Sequence, residues 1–268
     1  MKDRILRTLG VSSGLILGDS MVLDRWRWLS RFLPETRNEE RILDVGCGTG
    51  AFSICAASRG YRTLGLSWDD RNQGEASKRA ALHGLEQNAR FQVFDVRDLA
   101  DFREHSNEWH FVICCENIEH ISNDAKLIKA IYSLLRPGGR LLITAPYYYY
   151  IPLNSDDAGP FEEIEDGRHV RKGYSEQDMR DLLEGNGFRI EAIEYCSGIW
   201  SQFFTRCFRK LNGCPKEIAW IATLPLRLLV AASRSVFTKK PYRAPYSICV
   251  LALKPRYSTS AENVKRET

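Results

Sequence analysis

The sequence predicts an α/β fold in which a mostly parallel sheet is covered by helices on both faces. Three observations carry that prediction. Short apolar runs alternate with helical stretches from Arg41 onward. The runs are apolar almost throughout rather than at every second position, as strands buried on both faces are. Glycine and proline punctuate the gaps between them. The 268 residues are 44% hydrophobic and 27% charged, the composition of an ordinary globular protein. With 19 Gly, 10 Pro and 11% aromatics, collagen-like, coiled-coil and disordered classes are excluded.

The elements follow in order. Residues 1–38 read as an N-terminal helical extension, and Leu23, Trp26, Leu29 and Leu33 recur at the spacing of an amphipathic helix ending before Pro34. The main domain is expected over 39–256. Its first five strands are predicted at Arg41–Val45, Thr63–Leu66, Arg90–Phe94, Phe111–Cys115 and Arg140–Ala145. Helices are predicted between them at Ala51–Ser58, Arg71–His83 and Asp124–Leu135. Pro137-Gly138-Gly139 marks a turn before the fifth strand, and Pro146 with Tyr147–Tyr150 ends it. Residues 151–173 are polar and acid-rich, and read as a long loop of the kind that closes over a site. Ser175 followed by Asp178 predicts a capped helix start, and that helix ends near Gly185–Gly187. Phe188–Tyr195 and Ser247–Leu253 read as the sixth and seventh strands, and 257–268 as a frayed polar tail.

The eight cysteines stand at 47, 55, 114, 115, 196, 207, 214 and 249. The close pair is the adjacent Cys114–Cys115, so there is no C-x-x-C and no metal is expected. Met1–Arg7 is charged and the apolar stretch Leu15–Leu17 is too short for a secretory signal, which predicts a reducing, cytoplasmic location.

The most informative stretch is "RILDVGCGTGAFS", Arg41–Ser53. An apolar strand reaches Asp44, and Gly46, Gly48 and Gly50 then lead through a tight turn into a helix. Glycines let a ligand approach the backbone, and the helix start offers free N–H groups. The G-x-G-x-G spacing is one residue shorter than the dinucleotide fingerprint. An acid entering the turn also suits a ligand carrying an ammonium group better than a pyrophosphate, so a nicotinamide enzyme is disfavoured.

This stretch resembles the first motif of class I S-adenosylmethionine-dependent methyltransferases, and the likeness continues. "RTLGLSWDDRNQGEASKRA" resembles their second strand and helix, "FQVFDVRDL" the third strand, "HFVICCENIEHI" the fourth and "LLRPGGRLLITAP" the turn into the fifth. "HVRKGYSEQDMRDLLEGNGFRI" is similar to the region before the sixth strand in the menaquinone-type, methyltransferase domain 11-like branch. The resemblance covers about Arg41 to Ile193 and adds the seventh strand. It implies a Rossmann-like seven-stranded sheet with the last strand antiparallel, and S-adenosyl-L-methionine as cofactor.

Carried over residue by residue, the resemblance implies that Asp44, Gly46, Cys47, Gly48 and Gly50 hold the methionine end of the cofactor. It places Asp95 and the backbone of Val96 at the adenine, and Cys115 and Glu116 beside the sulfonium. Two positions depart from the family pattern. Ser67 stands where an acid usually grips the ribose, with Asp69 two residues on, and His110 stands where strand four usually carries Asp. Trp68, between Ser67 and Asp69, is a candidate to cover the adenine face or to pack in the core.

Methyl transfer is an in-line displacement at an activated centre, so alignment supplies most of the acceleration. Oxygen acceptors also need a base. His169, in the acidic loop, is the candidate general base, and a structural role for it stays open. His120, Tyr147 and Tyr149 are candidates to touch the substrate. An extended run of four tyrosines would turn at most two of them inward.

The segment from Ile199 to Arg256 holds eleven basic residues against the single acid Glu217, a net of +10, leaving −6 for the rest of a chain whose total is +4. Trp200, Phe203, Phe204, Phe208 and Trp220 run through it. Pro225 and Arg227 break "AWIATLPLRLLVAAS", too short a run to span a bilayer. A basic, apolar helical insertion at about 199–245 suits either an anionic membrane surface or a cap over the acceptor pocket. Nucleic acid is disfavoured, because "CENIEH" stands where base-methylating branches carry an Asn-Pro-Pro-Tyr-like element. The expected function is O- or C-methylation of a small or lipophilic acceptor: quinone-, polyketide- or lipid/glycan-type. The alternatives are a non-catalytic S-adenosylmethionine-binding or interaction protein, and an RNA methyltransferase using the basic insertion. The expected location is cytoplasmic, with a peripheral place at the inner face of a membrane as its extension.

Overall fold

A computed structural model of the chain describes residues 10–11, 19–104, 106–153, 158–162, 164–211, 222–223, 238–241 and 244–256. Most of the first 18 residues, the bulk of the basic insertion including Pro225 and Arg227, and the tail from Tyr257 lie outside the described residues.

The strands are β1 (Arg41–Val45), β2 (Arg62–Ser67), β3 (Ala89–Val93), β4 (Trp109–Cys115), β5 (Leu135–Pro146), β6 (Arg189–Cys196) and β7 (Ser247–Leu253). They form one seven-stranded sheet in the order β3-β2-β1-β4-β5-β7-β6. Neighbours from β3 to β5 pair in parallel. β7 runs antiparallel to both β5 and β6. The predicted sheet and its reversed last strand are therefore present. β5 starts earlier than the sequence suggested, because Leu135 pairs with Trp109 before Pro137–Gly139 bulges out and Arg140 resumes the ladder with Phe111.

Alternate residues of each strand build separate cores, as the pleat requires. Leu43, Val45, Val112, Leu141 and Ile143 face one side, under α4 (Asp124–Leu134) and α5 (Glu176–Gly185). Ile42, Phe111, Ile113 and Leu142 face the other, against α1 (Ser20–Leu29) and α2 (Ala51–Ala57). α3 (Asp70–Leu82) packs Ala80 against Ile54 and Ala57 of α2 and Ala89 of β3. The capping arrangement predicted at Ser175 forms reciprocally with Asp178.

α1 is the helix predicted before Pro34, and distant parts of the chain fix its position. Trp28 donates its indole N–H to Glu194 at 3.0 Å, and Arg31 binds the same carboxylate through two nitrogens. Ser20 donates to the Ser201 carbonyl of α6 (Ile199–Lys210) at 3.1 Å. Among the described residues, no helix is long and apolar enough to cross a membrane.

Candidate active site

Chain reversal after β1 needs backbone angles that L side chains rarely adopt. Gly46, Gly48 and Gly50 have φ of 81°, 51° and 72°. A Cβ on Gly46 would lie 2.4 Å from the Asn117 side chain, and one on Gly50 would lie 2.5 Å from the Phe91 ring. A Cβ on Gly48 would meet nothing within 4 Å, so the turn faces open space there. The Gly46 and Cys47 amides donate to the Leu66 carbonyl at 3.0 and 2.9 Å. Those donors are committed within the fold, which argues against a phosphate cradle. The Cys47 side chain turns inward beneath Gly65 and beside Gln73, leaving its backbone on the turn.

Asp44 is buried and accepts from the Ser53 hydroxyl at 2.6 Å. Burial pushes its carboxyl up to about 6, and the Ser53 hydrogen bonds only partly offset this. A buried carboxylate that forms no ion pair among the described residues is suited to a ligand ammonium. Open Gly48 and buried Asp44 together fit the methionine end of S-adenosylmethionine.

At the end of β2, Ser67 is buried and its hydroxyl accepts from the Asp69 amide at 3.4 Å. Asp69 caps α3 with one oxygen, accepting from the Arg71 and Asn72 amides. Trp68 is 65% exposed and outside the core. Asp95 caps the kinked 3-10 segment Val96–Asp101, with the Val96 side chain buried. Both Asp95 oxygens are held by Arg97, whose hydrogen bonds keep the carboxyl below its usual range. Arg97 also reaches Glu165 at 3.3 Å, and Glu165 accepts from the Ser122 amide at 2.6 Å. The acidic loop is thereby fastened across the cofactor side.

Cys115 ends β4 buried, and burial pushes its thiol well up. Glu116 follows with φ of 47°. Its Oε1 accepts from Thr144 and Ser247, both at 3.0 Å, and its Oε2 pairs with Arg25 of α1 at 3.0 Å. Burial disfavours the Arg25 charge, and Glu116 beside it more than restores it. Glu116 thus turns toward β5, β7 and α1.

Beyond β4, the short helix Ile118–His120 and the loop meet. His120 Nδ1 lies 3.0 Å from the Arg168 carbonyl, and the His120 and His169 rings cross at 4.8 Å and 76°. Glu119 is buried, its Oε2 accepts no hydrogen bond, and burial followed by Glu116 drives its carboxyl well above the ordinary range. Ligand atoms of Glu119, His120 and His169 lie within 4.8 Å of one another. One carboxylate and two imidazoles suit a borderline divalent cation. The cysteine pattern could not foresee this set, although Glu119 stands beside His120 in the fourth-strand motif. No sequence signal marks Arg25. His110, at the other end of β4, accepts from the Arg41 amide at 3.2 Å and lies away from this group.

The tyrosine run does not alternate. β5 stops at Pro146, and the Tyr150 amide donates to the Tyr147 carbonyl at 2.8 Å, making a turn. Residues three apart therefore share a side: Tyr147 and Tyr150 are buried, while Tyr149 stands exposed. Tyr147 crosses Tyr195 at 4.9 Å. The run is therefore a turn rather than an extended segment, and the Tyr147 and Tyr149 rings meet within it at 5.4 Å and 61°.

A family model described as a methyltransferase domain matches residues 23–193. The ubiquinone biosynthesis O-methyltransferase of Marinobacter nauticus is 36% identical over 108 residues, which are 39% of this chain and 43% of that protein. That of Aeromonas salmonicida is 34% identical over 105 residues, 39% of this chain and 42% of that one. The chain thus spans about two-fifths of the length of the curated relatives it matches. Among solved structures, the [4+2]-cyclase SpnF superposes with a TM-score of 0.60 at 18% identity, covering 87% of this chain and 82% of that one. Haemonchus contortus phosphoethanolamine N-methyltransferase 2, solved with S-adenosyl-L-methionine, gives 0.60 at 18% identity, covering 91% and 56%. These structures share the fold, and the family match spans well over half of the sequence. The chain belongs to the methyltransferase domain family.

Proposed function

We propose that the chain transfers a methyl group from S-adenosylmethionine to a hydroxyl oxygen of a small lipophilic, quinone-type acceptor, working in the cytoplasm and peripherally at the inner face of a membrane. The observation that carries this reading is the buried Asp44 carboxyl beside the open Gly48 turn. The names of the curated relatives support a quinone-pathway O-acceptor.

The bound cofactor supplies a sulfonium methyl already activated toward displacement. Asp44 binds the ammonium, and the Gly48 backbone lets the ligand approach closely. The loop held by Arg97 and Glu165 excludes water and fixes the acceptor's line of approach. His169 takes the proton from the acceptor hydroxyl, with His120 positioned beside it through the Arg168 carbonyl. A divalent cation held by Glu119, His120 and His169 would replace His169 as the base, by lowering the pKa of a hydroxyl coordinated to it.

A second reading has its own observation: SpnF, which shares this fold, is a cyclase. Calorimetric titration with S-adenosylmethionine, followed by labelled methyl transfer to an extract of cell lipids, separates the two. Binding that is lost in Asp44→Ala is expected. His169→Ala should retain binding and lose transfer by about 10²–10⁴-fold. Chelator sensitivity reversed by added zinc or magnesium would assign the histidine cluster to a cation. Binding without transfer to any extract component would favour the second reading, and no binding would overturn both.

A further inference from the structure

α6 presents two unlike faces. Ser201, Gln202, Phe204 and Thr205 are buried toward α1 and the sheet, and Gln202 donates to the Ser197 and Ala244 carbonyls. Ile199, Trp200 and Phe203 point the other way, at positions that share one side of a helix, and Trp200 is 62% exposed. A second exposed apolar group, Tyr148, Tyr149 and Ile151, follows the end of β5. Arg206 joins the two by donating to the Pro152 carbonyl at 3.0 Å. They make one surface, and its second half emerges directly from the strand whose end borders the candidate active site.

The charge on the α6 half of that surface is basic, while the loop that follows Pro152 is acid-rich. α6 carries Arg206, Arg209 and Lys210 and no acid. Lys172 stands 4.9 Å over the Tyr148 ring. Grouped exposed aromatic and aliphatic side chains mark an interaction surface, since single exposed apolar residues are common and clusters are not. Tryptophan and tyrosine favour the headgroup level of a bilayer, and arginine and lysine beside them meet anionic headgroups. A symmetric pairing of two copies through this face would bring the basic groups of both together.

We infer that α6 and residues 148–152 form an in-plane docking surface for an anionic lipid bilayer, with Ile199, Trp200 and Phe203 entering the apolar layer and Arg209 and Lys210 at the headgroups. Docking stands independently of the chemistry. Delivery of a lipophilic acceptor from the bilayer past Tyr148–Ile151 rests on the proposed function above.

The test is co-sedimentation of the full chain with phosphatidylcholine vesicles, with and without phosphatidylglycerol. The chain is expected to pellet with the anionic vesicles. Trp200→Ser/Phe203→Ser should remain in the supernatant. Arg209→Gln/Lys210→Gln should partition roughly thirtyfold less onto the anionic vesicles, from the loss of two basic contacts. Circular dichroism and S-adenosylmethionine binding unchanged in both variants would show that the fold persists. Wild-type protein left in solution with both vesicle types would overturn the inference, as would variants that pellet like wild type. A wild-type dimer abolished by Trp200→Ser/Phe203→Ser would assign the face to a second copy and also overturn it. Transfer to a short, water-soluble acceptor is measured in parallel. Wild-type transfer without docking would sink the surface and the membrane location while leaving methyl transfer standing, and wild-type docking without any transfer would sink methyl transfer alone.

Discussion

The two halves of the sheet are built by different means. On the expected cofactor side, the three acids Asp44, Asp69 and Asp95 take partners from their own neighbourhood, although Arg97 also reaches Glu165 across 68 residues. Ser53 donates to Asp44 nine residues away, Asp69 caps its own helix, and Asp95 is clasped by Arg97 two residues on. On the acceptor side, contacts close over long stretches of chain: Trp28 to Glu194 across 166 residues, Ser20 to Ser201 across 181, Arg25 to Ser247 across 222. A side assembled from both chain ends and the loop can be rebuilt without disturbing the other.

The largest test of that division is the Arg25–Glu116 pair. It is the link between α1 and the end of β4, with both side chains nearly buried. Arg25→Met leaves the Glu116 carboxylate among Thr144 and Ser247 without a cation, a change that costs about 3–5 kcal/mol in buried pairs. Urea unfolding should show that loss, and Arg25→Met/Glu116→Gln should recover most of it. A destabilisation under about 1 kcal/mol would mean that α1 does not organise the acceptor side.

The same division explains what the sequence could disclose. Strand positions, the glycine turn and the Ser175 cap were legible because each is written in a few adjacent residues. Glu116 was placed at the right strand end, yet its partner Arg25 was not, since nothing in "DRWRW" distinguishes a buried arginine from a solvated one. The convergence of Glu119, His120 and His169 depends on how a loop folds back, which periodicity does not record. The tyrosine run misled because alternation holds only while the strand continues, and β5 ends one residue before it.

A middle-sized effect is expected on the cofactor side. The Asp44 carboxyl, raised to about 6, is ionised above that pH and protonated below it. The thiols facing it, Cys47, Cys114 and Cys115, are pushed up and stay neutral throughout that range. Affinity for a ligand ammonium should therefore fall about tenfold between pH 7 and pH 5, the change in ionised fraction for such a group. Asp44→Asn should bind weakly at both values. Calorimetric titration at the two pH values checks this, and a wild-type affinity that does not change would remove Asp44 as the ammonium partner.

The smallest effect belongs to Asp24, on α1 and on the long-range side of the comparison. It is buried, and neither carboxylate oxygen accepts a well-formed hydrogen bond. Burial raises its carboxyl to about 6, opposed by the nearby Ser201 and Ser197 hydroxyls and by Arg27 and Arg25. A carboxyl whose folded value lies above its unfolded 3.8 destabilises the fold most above pH 6, where it is charged in both states. As pH falls from 6 toward 4, the folded state takes up the proton first and this penalty disappears. Asp24→Asn, which has no charge to bury, should match or exceed wild type by up to about 1 kcal/mol at pH 7.5 and lose its advantage near pH 4. Urea midpoints of the two proteins at both pH values read this out. A variant less stable than wild type at pH 7.5 would show that the ionised carboxylate helps hold α1 against α6, and the long-range half would then rest on that charge as well as on Glu194 and Glu116.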